Sequence, residues 1–268
     1  MNFGSRNFLV KTAKSAIKSA YIALYSHGSN RFLTKQYAEK MKIRYDICST
    51  VGWAIHRKGS FEPITNGFLK KNIASGMTCI DVGANIGAFT LIMAELVTEL
   101  GTVISFEPQS AMYEMLLFNV DLNNLKNVEC MNMALSDKEG QQTLYIPALK
   151  KNQGLINYGG ATLDVNSSPY GVDQGNREEL FQKEIIIAQK LDEVLTSKDI
   201  LRVDFLKVDV EGHEYEVLRG ATKTIEKWKP LLLLEFCPDK ENGLLPRHYD
   251  LIELLRRFGY KFYLIDQS

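Results

Sequence analysis

The eight residues Ile80-Asp81-Val82-Gly83-Ala84-Asn85-Ile86-Gly87 limit what this chain can fold into more than any other stretch. An apolar run, Met77 to Val82, enters a glycine turn, and a helical pattern of apolar residues follows from Ala88 to Leu100. A second apolar run, Thr102 to Phe106, ends in Glu107, twenty-four residues after Gly83. Strand, glycine turn, helix and strand in that order make a nucleoside-binding β-α-β unit. Gly83 and Gly87 let a ligand approach the backbone closely, and an acid at the tip of the second strand can take both ribose hydroxyls.

The type of nucleoside follows from two further residues. A dinucleotide fingerprint places a second glycine where this chain has Asn85, so that a pyrophosphate can rest on the helix N-terminus. Asp81, two residues before Gly83, puts a negative charge at the expected mouth of the site. That charge repels a pyrophosphate and attracts a sulfonium carrying an ammonium group. The balance favours S-adenosylmethionine over NAD.

Beyond this unit, strands and helices alternate. Ser110 is an N-cap candidate for a helix carrying Met112, Met115, Leu116 and Val120, and a third strand spans Val128 to Ala134. Thr143 to Ile146 and Glu184 to Ala188 read as extra strands flanking an inserted loop at 147–182, rich in Gly, Asn, Ser and Asp. Core strands Phe205 to Val210 and Leu231 to Phe236 follow, separated by a helix from His213 to Lys227. A helix from Tyr249 to Phe258 and a strand from Tyr260 to Ile265 close the pattern. The expected fold is α/β, a doubly wound, mostly parallel sheet of Rossmann-like type. Asp81, Glu107, Asp209 and Glu235 fall at or near four strand ends, where such sheets bind ligands.

The 268 residues balance 32 basic against 32 acidic side chains, but unevenly along the chain. Residues 1–40 hold seven Lys or Arg against Glu39 alone, leaving the remainder at a net charge of minus six. Leu9, Ala13, Ala16, Ile17, Ala20, Tyr21 and Leu24 share one helical face, opposite Lys11, Lys14 and Lys18. Residues 1–60 are therefore read as a basic N-terminal helical extension and cap, and 61–268 as the nucleoside-binding domain. A peripheral membrane contact through residues 1–25 and a targeting sequence are the competing roles. Lys42 to His56 within this region has strand-like and polar stretches. Cys48, Cys79, Cys130 and Cys237 lack paired spacing and read as core thiols of a reducing, cytoplasmic compartment. An acidic domain without basic residues and interleaved aromatics around its site argues against nucleic acid as a partner.

From about Glu62 to Ile265 the chain resembles the FkbM-type family of S-adenosylmethionine-dependent O-methyltransferases. The matching stretches are Asp-Val-Gly-Ala-Asn-Ile-Gly (81–87), Phe-Glu-Pro (106–108), Ala-Leu-Ser-Asp (134–137), Leu-Asp-Glu (191–193), Phe-Leu-Lys-Val-Asp-Val-Glu-Gly-His-Glu (205–214) and Leu-Leu-Glu-Phe (233–236). The 205–214 stretch is the most restrictive of these. The resemblance implies a class I methyltransferase fold and methylation of a hydroxyl on a sugar, glycan or secondary metabolite.

Site residues follow from the motifs. Asp81, Gly83, Ala84, Asn85 and Gly87 are expected around the methionine part of the cofactor, Glu107 at the ribose, and Ala134 and Leu135 beside the adenine. Glu62 is a further acid within reach of the cofactor. Asp209, Glu211 and His213 are the catalytic candidates, since methyl transfer to a hydroxyl needs alignment and a route for the alcohol proton. Asp209 could instead form a structural pair with Lys207, two residues earlier on the same strand face. His213 could instead be a plain histidine in the first turn of a helix. Metal-free base catalysis is the reading taken, against a Mg or Mn ion held by Asp209, Glu211, His213 and Glu235. The same sheet could also serve an NAD-dependent oxidoreductase, or a non-catalytic, membrane-associated nucleoside-binding adaptor. Oligomeric state is not legible.

Overall fold

The structure, a computed structural model, describes residues 31–147, 155–163, 181–236 and 246–265. Its centre is a five-stranded parallel sheet of β3 (Thr78–Val82), β4 (Thr102–Phe106), β5 (Val128–Met131), β9 (Phe205–Val208) and β10 (Leu231–Leu234), in the order β10-β9-β3-β4-β5. The chain starts in the middle at β3, builds to one edge through β4 and β5, then returns to β9 on the other side. The reversal leaves a crevice at the carboxyl ends of β3 and β9, where an open α/β sheet holds its ligand.

Both faces of the sheet are covered, so its strands read as continuous apolar runs. On one face lie α2 (Pro63–Asn72) and α3 (Ala88–Val97), with α4 (Ser110–Leu122) alongside. Eight of the ten residues of α3 are buried, because this helix is sandwiched between the sheet and a further layer outside it. On the other face, α5 (Leu191–Ser197), α6 (Glu214–Arg219), α7 (Thr222–Trp228) and α8 (Pro246–Arg257) bury Val194, Val217, Ile225 and Leu251 in a second core.

The outer layer corrects the expectation of a helical extension for residues 31–60. Residues 1–30 lie outside the described residues, but β1 (Phe32–Tyr37) and β2 (Met41–Asp46) form an antiparallel hairpin, followed by α1 (Thr50–Lys58). The signals for α1 are a Ser49 N-cap, whose Oγ accepts from the Gly52 N–H at 2.8 Å, and Gly59 in the left-handed region just past its end. The hairpin belongs to the same core as the sheet: Ile43, Tyr45 and Ile47 pack with Cys79, Leu91 and Phe205. Its free edge is closed by side chains of α4. Asn119 Oδ1 accepts from the Arg44 N–H at 2.6 Å and Asn123 Oδ1 from the Lys42 N–H at 2.7 Å, while their amide groups donate back to the same residues' carbonyls.

A small three-stranded sheet, β6-β8-β7, stands beside the main one. β7 (Gly140–Pro147) and β8 (Phe181–Gln189) form a long antiparallel hairpin, so the two extra strands pair with each other. The third strand, expected over 128–134, splits. Asn132 donates to the carbonyls of Glu107 and Pro108, and β6 (Ala134–Leu135) then leaves the main sheet to pair with Ala188 and Gln189.

Four further expectations change. The helix from His213 divides at Gly220–Ala221 into α6 and α7. Ser110 does not cap α4; its N–H and hydroxyl both bind Glu184 Oε1 across to β8. Tyr260 to Ile265 forms no strand among the described residues, and Leu264 there is 97% exposed, because β10 pairs only with β9. Of the 147–182 loop, only 147, 155–163 and 181–182 are described, and 155–163 folds back onto the domain. Ile156 bridges to Ser49, and Thr162 pairs with Tyr145.

Candidate active site

The crevice at the switch point holds a cavity of about 280 Å³. Its floor is the turn after β3. Gly83 has φ +76°, and a Cβ there would sit 1.9 Å from the Asp209 carbonyl oxygen, so only glycine lets the ends of β3 and β9 come this close. Ala84 and Asn85 continue the floor, with Asn85 itself left-handed at φ +51°. Gly87, expected at the ligand, does not line the cavity. At φ +87° it begins α3, and a Cβ there would meet Leu116 Cδ1 at 2.7 Å, so it is a packing glycine against α4.

Asp81 is likewise corrected. It is fully buried beneath the floor and does not line the cavity. The β3–β9 register sets it opposite Lys207, whose Nζ lies 3.3 Å from Asp81 and 3.1 Å from Asp209. Thr90 donates to the other Asp81 oxygen at 2.7 Å. Lys207 is itself buried, over the Phe89 ring. Burial opposes its charge, but Asp209 and Asp81 outweigh burial and hold it firmly protonated.

Glu107 stands at the opposite end. Its Oε2 accepts from the Asn85 N–H at 2.7 Å and Oε1 from the Gln109 N–H at 2.9 Å, which fixes the carboxyl at the turn. Burial pushes it up to about 7 against those two hydrogen bonds. Each oxygen keeps a lone pair for a ligand hydroxyl. Met133, Ala134 and Leu135 form the wall beyond it.

Asp209, Glu211 and Glu235 gather at the β9–β10 end. Burial raises Asp209, but the Lys207 charge and hydrogen bonds from Glu235 and Lys207 overcome this and hold it ionised. The hydrogen bond to Asp209, reinforced by burial, pushes Glu235 up to about 10. The pair thus shares one proton, with the negative charge favoured on Asp209 beside Lys207. Glu211 has no lysine paired with it among the described residues. Burial, then the charges of Asp209 and Glu214, raises it to about 8. Its backbone is left-handed at φ +53°, and its carbonyl accepts from Thr162 Oγ1 at 3.1 Å. Glu62, with φ +40° just before Pro63, completes the acidic wall. Non-glycine residues in this region are strained, and three of them (Glu62, Asn85 and Glu211) border one cavity.

His213 lines the cavity as the N-cap residue of α6, yet its ring faces protein groups. Nε2 is 3.0 Å from Ser136 Oγ, and Nδ1 is 3.6 Å from Glu216 Oε2. This turns the ring towards β6 and α6, and it corrects the metal reading. Asp209, Glu211 and Glu235 share one end of the cavity but do not make a ligand set with His213, and no three His, Cys, Asp or Glu among the described residues form a group that could hold an ion.

Sequence reasoning missed the proton shared by Asp209 and Glu235, and the walls given by Thr50, Val51, Tyr158 and Thr162. Tyr158 and Thr162 sit in a stretch with no periodicity to flag them. The Ser49–Gly59 capping pattern was a usable signal for α1, which contributes Thr50 and Val51.

The sheet order, the glycine turn and the cavity at the switch point define a Rossmann-like fold of the class I methyltransferase type. A family model described as the methyltransferase FkbM domain matches residues 81–262, and the chain belongs to that family. Methyltransferase 1 of Beauveria bassiana is 28% identical over 169 residues, covering 60% of this chain and 65% of that protein, so the chain spans just under two thirds of this relative. Methyltransferase sdnD of Sordaria araneosa is 29% identical over 183 residues, covering 59% of this chain and 69% of the relative. Among solved structures, a methyltransferase FkbM from Methylobacillus flagellatus covers 69% of this chain and 36% of its own, at 18% identity and a TM-score of 0.41.

Proposed function

We propose that this protein is an S-adenosylmethionine-dependent O-methyltransferase acting on a hydroxyl of a sugar, glycan or secondary metabolite. One observation carries the reading. The described lining of the cavity includes five carboxyl side chains (Glu62, Glu107, Asp209, Glu211 and Glu235) and no Lys or Arg. With Asp209 held ionised, Glu107 partly so, and Glu211 and Glu235 able to release protons as a cation enters, such a cleft suits a cationic sulfonium over a pyrophosphate or a polyanion, which disfavours NAD and nucleic acid.

Bound there, S-adenosylmethionine supplies an electrophilic methyl group. Gly83, Ala84 and Asn85 cradle it through the backbone, Glu107 accepts hydrogen bonds from ribose hydroxyls, and Ala134 and Leu135 border the base. Asp209, held ionised by Lys207 and oriented by Glu235, supplies fixed negative charge at the β9 end. Glu211 is the general base for the acceptor hydroxyl. Its value of about 8 lies nearer working pH than that of Asp209, and the His213 ring faces Ser136 and Glu216 instead. His213 is thus proposed to position the β6–α6 junction. Buried Cys48 and Cys79 and half-buried Cys130 form no disulfide with one another, which supports a cytoplasmic location. No helix among the described residues is long and apolar enough to cross a membrane.

The test is incubation with methyl-labelled S-adenosylmethionine and a panel of sugars, nucleotide sugars, glycans and phenols, with and without chelator, read by mass spectrometry. Chelator-insensitive label on an acceptor oxygen is the expected result. Failure to bind the cofactor would overturn the reading, and loss of transfer on chelation, restored by Mg or Mn, would overturn metal-free catalysis.

A further inference from the structure

A second cavity, of about 340 Å³, adjoins the first and shares Thr50, Val51, Asn85 and Tyr158 with it. The hairpin β1–β2 on one side and α4 on the other build it, with Phe32, Ile86, Met112, Met115 and Phe118 as its apolar surface. Arg44 lies in its wall with its guanidinium stacked between two rings, 5.4 Å from the centre of Phe32 and 4.6 Å from that of Phe118.

Arg44 makes no ion pair among the described residues. The carboxylate nearest to it in sequence, Asp46, is taken: Arg31 and the Tyr158 hydroxyl both bind Asp46 Oδ2. Glu114, the other acid of the lining, is exposed on α4. The backbone of Arg44 is also tied in place. Asn119, fully buried, binds the Arg44 N–H and carbonyl and donates to the Ile86 carbonyl at 2.8 Å. One side chain therefore ties the strand that carries Arg44 to the turn that floors the first cavity.

A planar cation fixed by two aromatic faces, with its donors uncommitted, is suited to bidentate recognition of a carboxylate or phosphate. We propose that this second cavity takes the anionic end of the acceptor, so that the substrate is an acidic hydroxyl compound, a sugar acid, sugar phosphate or hydroxy-carboxylate with an apolar or ring body. This rests on the transfer reading above. The two cavities then divide the reactants by charge. The acid-lined cleft takes the cationic donor, the arginine cavity takes the anionic end of the acceptor, and the shared wall at Asn85 and Tyr158 is where their uncharged parts meet.

The test uses matched acceptors differing only in charge: glucuronic acid and glucose, glucose 6-phosphate and glucose, 4-hydroxybenzoate and 4-hydroxybenzamide. Affinity is measured by calorimetry in the presence of S-adenosylhomocysteine, and transfer by mass spectrometry, for wild type, Arg44→Ala and Arg44→Lys. At least one acid should bind and be methylated in preference to its neutral partner. Arg44→Ala should weaken that acid by about 10- to 100-fold, as loss of a charge-assisted contact does, with Arg44→Lys between. Affinity for S-adenosylmethionine, measured separately, should be unchanged in both variants, which also reports that they fold. Equal binding of acid and neutral partner, no effect of Arg44→Ala, binding without transfer, or no acid bound by a protein that binds the cofactor would each overturn the inference. Absence of cofactor binding would instead strike the transfer reading.

Discussion

The two adjoining cavities share a wall but not a charge. Four of the five carboxyls lining the cleft over the sheet follow the ends of β4, β9 and β10, and Lys207 is buried below the floor between Asp81 and Asp209. The neighbouring cavity presents Arg44 from β2, with Asp46 already occupied by Arg31. The difference has a structural origin. Acids of the first cavity are placed by parallel strands whose ends must converge at a switch point, while the second is built where a hairpin rests on α4, and its charge is set independently. Each can therefore be altered without rebuilding the other.

The largest break in this contrast comes from its hidden cation. Lys207→Ala leaves Asp81 and Asp209 facing each other in the interior, and urea unfolding should show a loss of about 3–5 kcal/mol. Combining Lys207→Met with Asp81→Asn should recover part of it. A loss under about 1 kcal/mol for the single variant would mean that the buried charges are not uncompensated.

Next is Glu211. Its ionised form is the base, so kcat/KM should rise with pH through about 8, and Glu211→Gln should lower kcat/KM about 100-fold or more and remove that rise. Initial rates across the pH range check both. A profile unchanged in the variant would transfer the base role to another group.

Glu107→Gln should have a smaller effect. An amide cannot accept from both the Asn85 and Gln109 N–H groups, so calorimetry should show cofactor affinity reduced about tenfold. Arg44→Ala should leave this affinity alone, which sharpens the division between the cavities.

The smallest effect is on stability against pH. Glu211 in the folded state holds its proton up to about 8, well above its ordinary 4.5, so between those values the folded chain binds more protons than the unfolded one. The stability this contributes is full below about 4.5 and is lost as pH rises through about 8. Thermal unfolding should follow that decline, and Glu211→Gln should flatten it.

Much of the fold was legible because its signals are local. β4 spans Thr102–Phe106 as its apolar run implies, and β3, β9 and β10 each lie within the expected ranges. The site residues on the turn and strand ends, Gly83, Ala84, Asn85, Glu107, Ala134, Leu135, Asp209, Glu211 and Glu235, all reach one cavity. What failed depended on distant partners. Asp81 lies inside its strand, and its fate was decided by the register that sets Lys207 opposite it. Tyr260 to Ile265 has a strand's composition, but no neighbouring edge among the described residues receives it. The β1–β2 hairpin was missed because charge and the helical periodicity of residues 9–24 dominated the reading of the whole N-terminal region.

The sequence by itself determined a parallel α/β sheet, a glycine turn that carries a nucleoside site, and acids at the strand ends, because strand runs, turn glycines and terminal acids are properties of contiguous residues. Only the tertiary structure decided which of those acids face the cavity and which lie beneath it. It also decided that Asp209 and Glu235 share a proton, with the charge favoured on Asp209 beside Lys207, and that Arg44 stands without a counter-charge among the described residues beside the cleft. These depend on register, burial and the meeting of a hairpin with a helix some seventy residues away, and no local pattern encodes them.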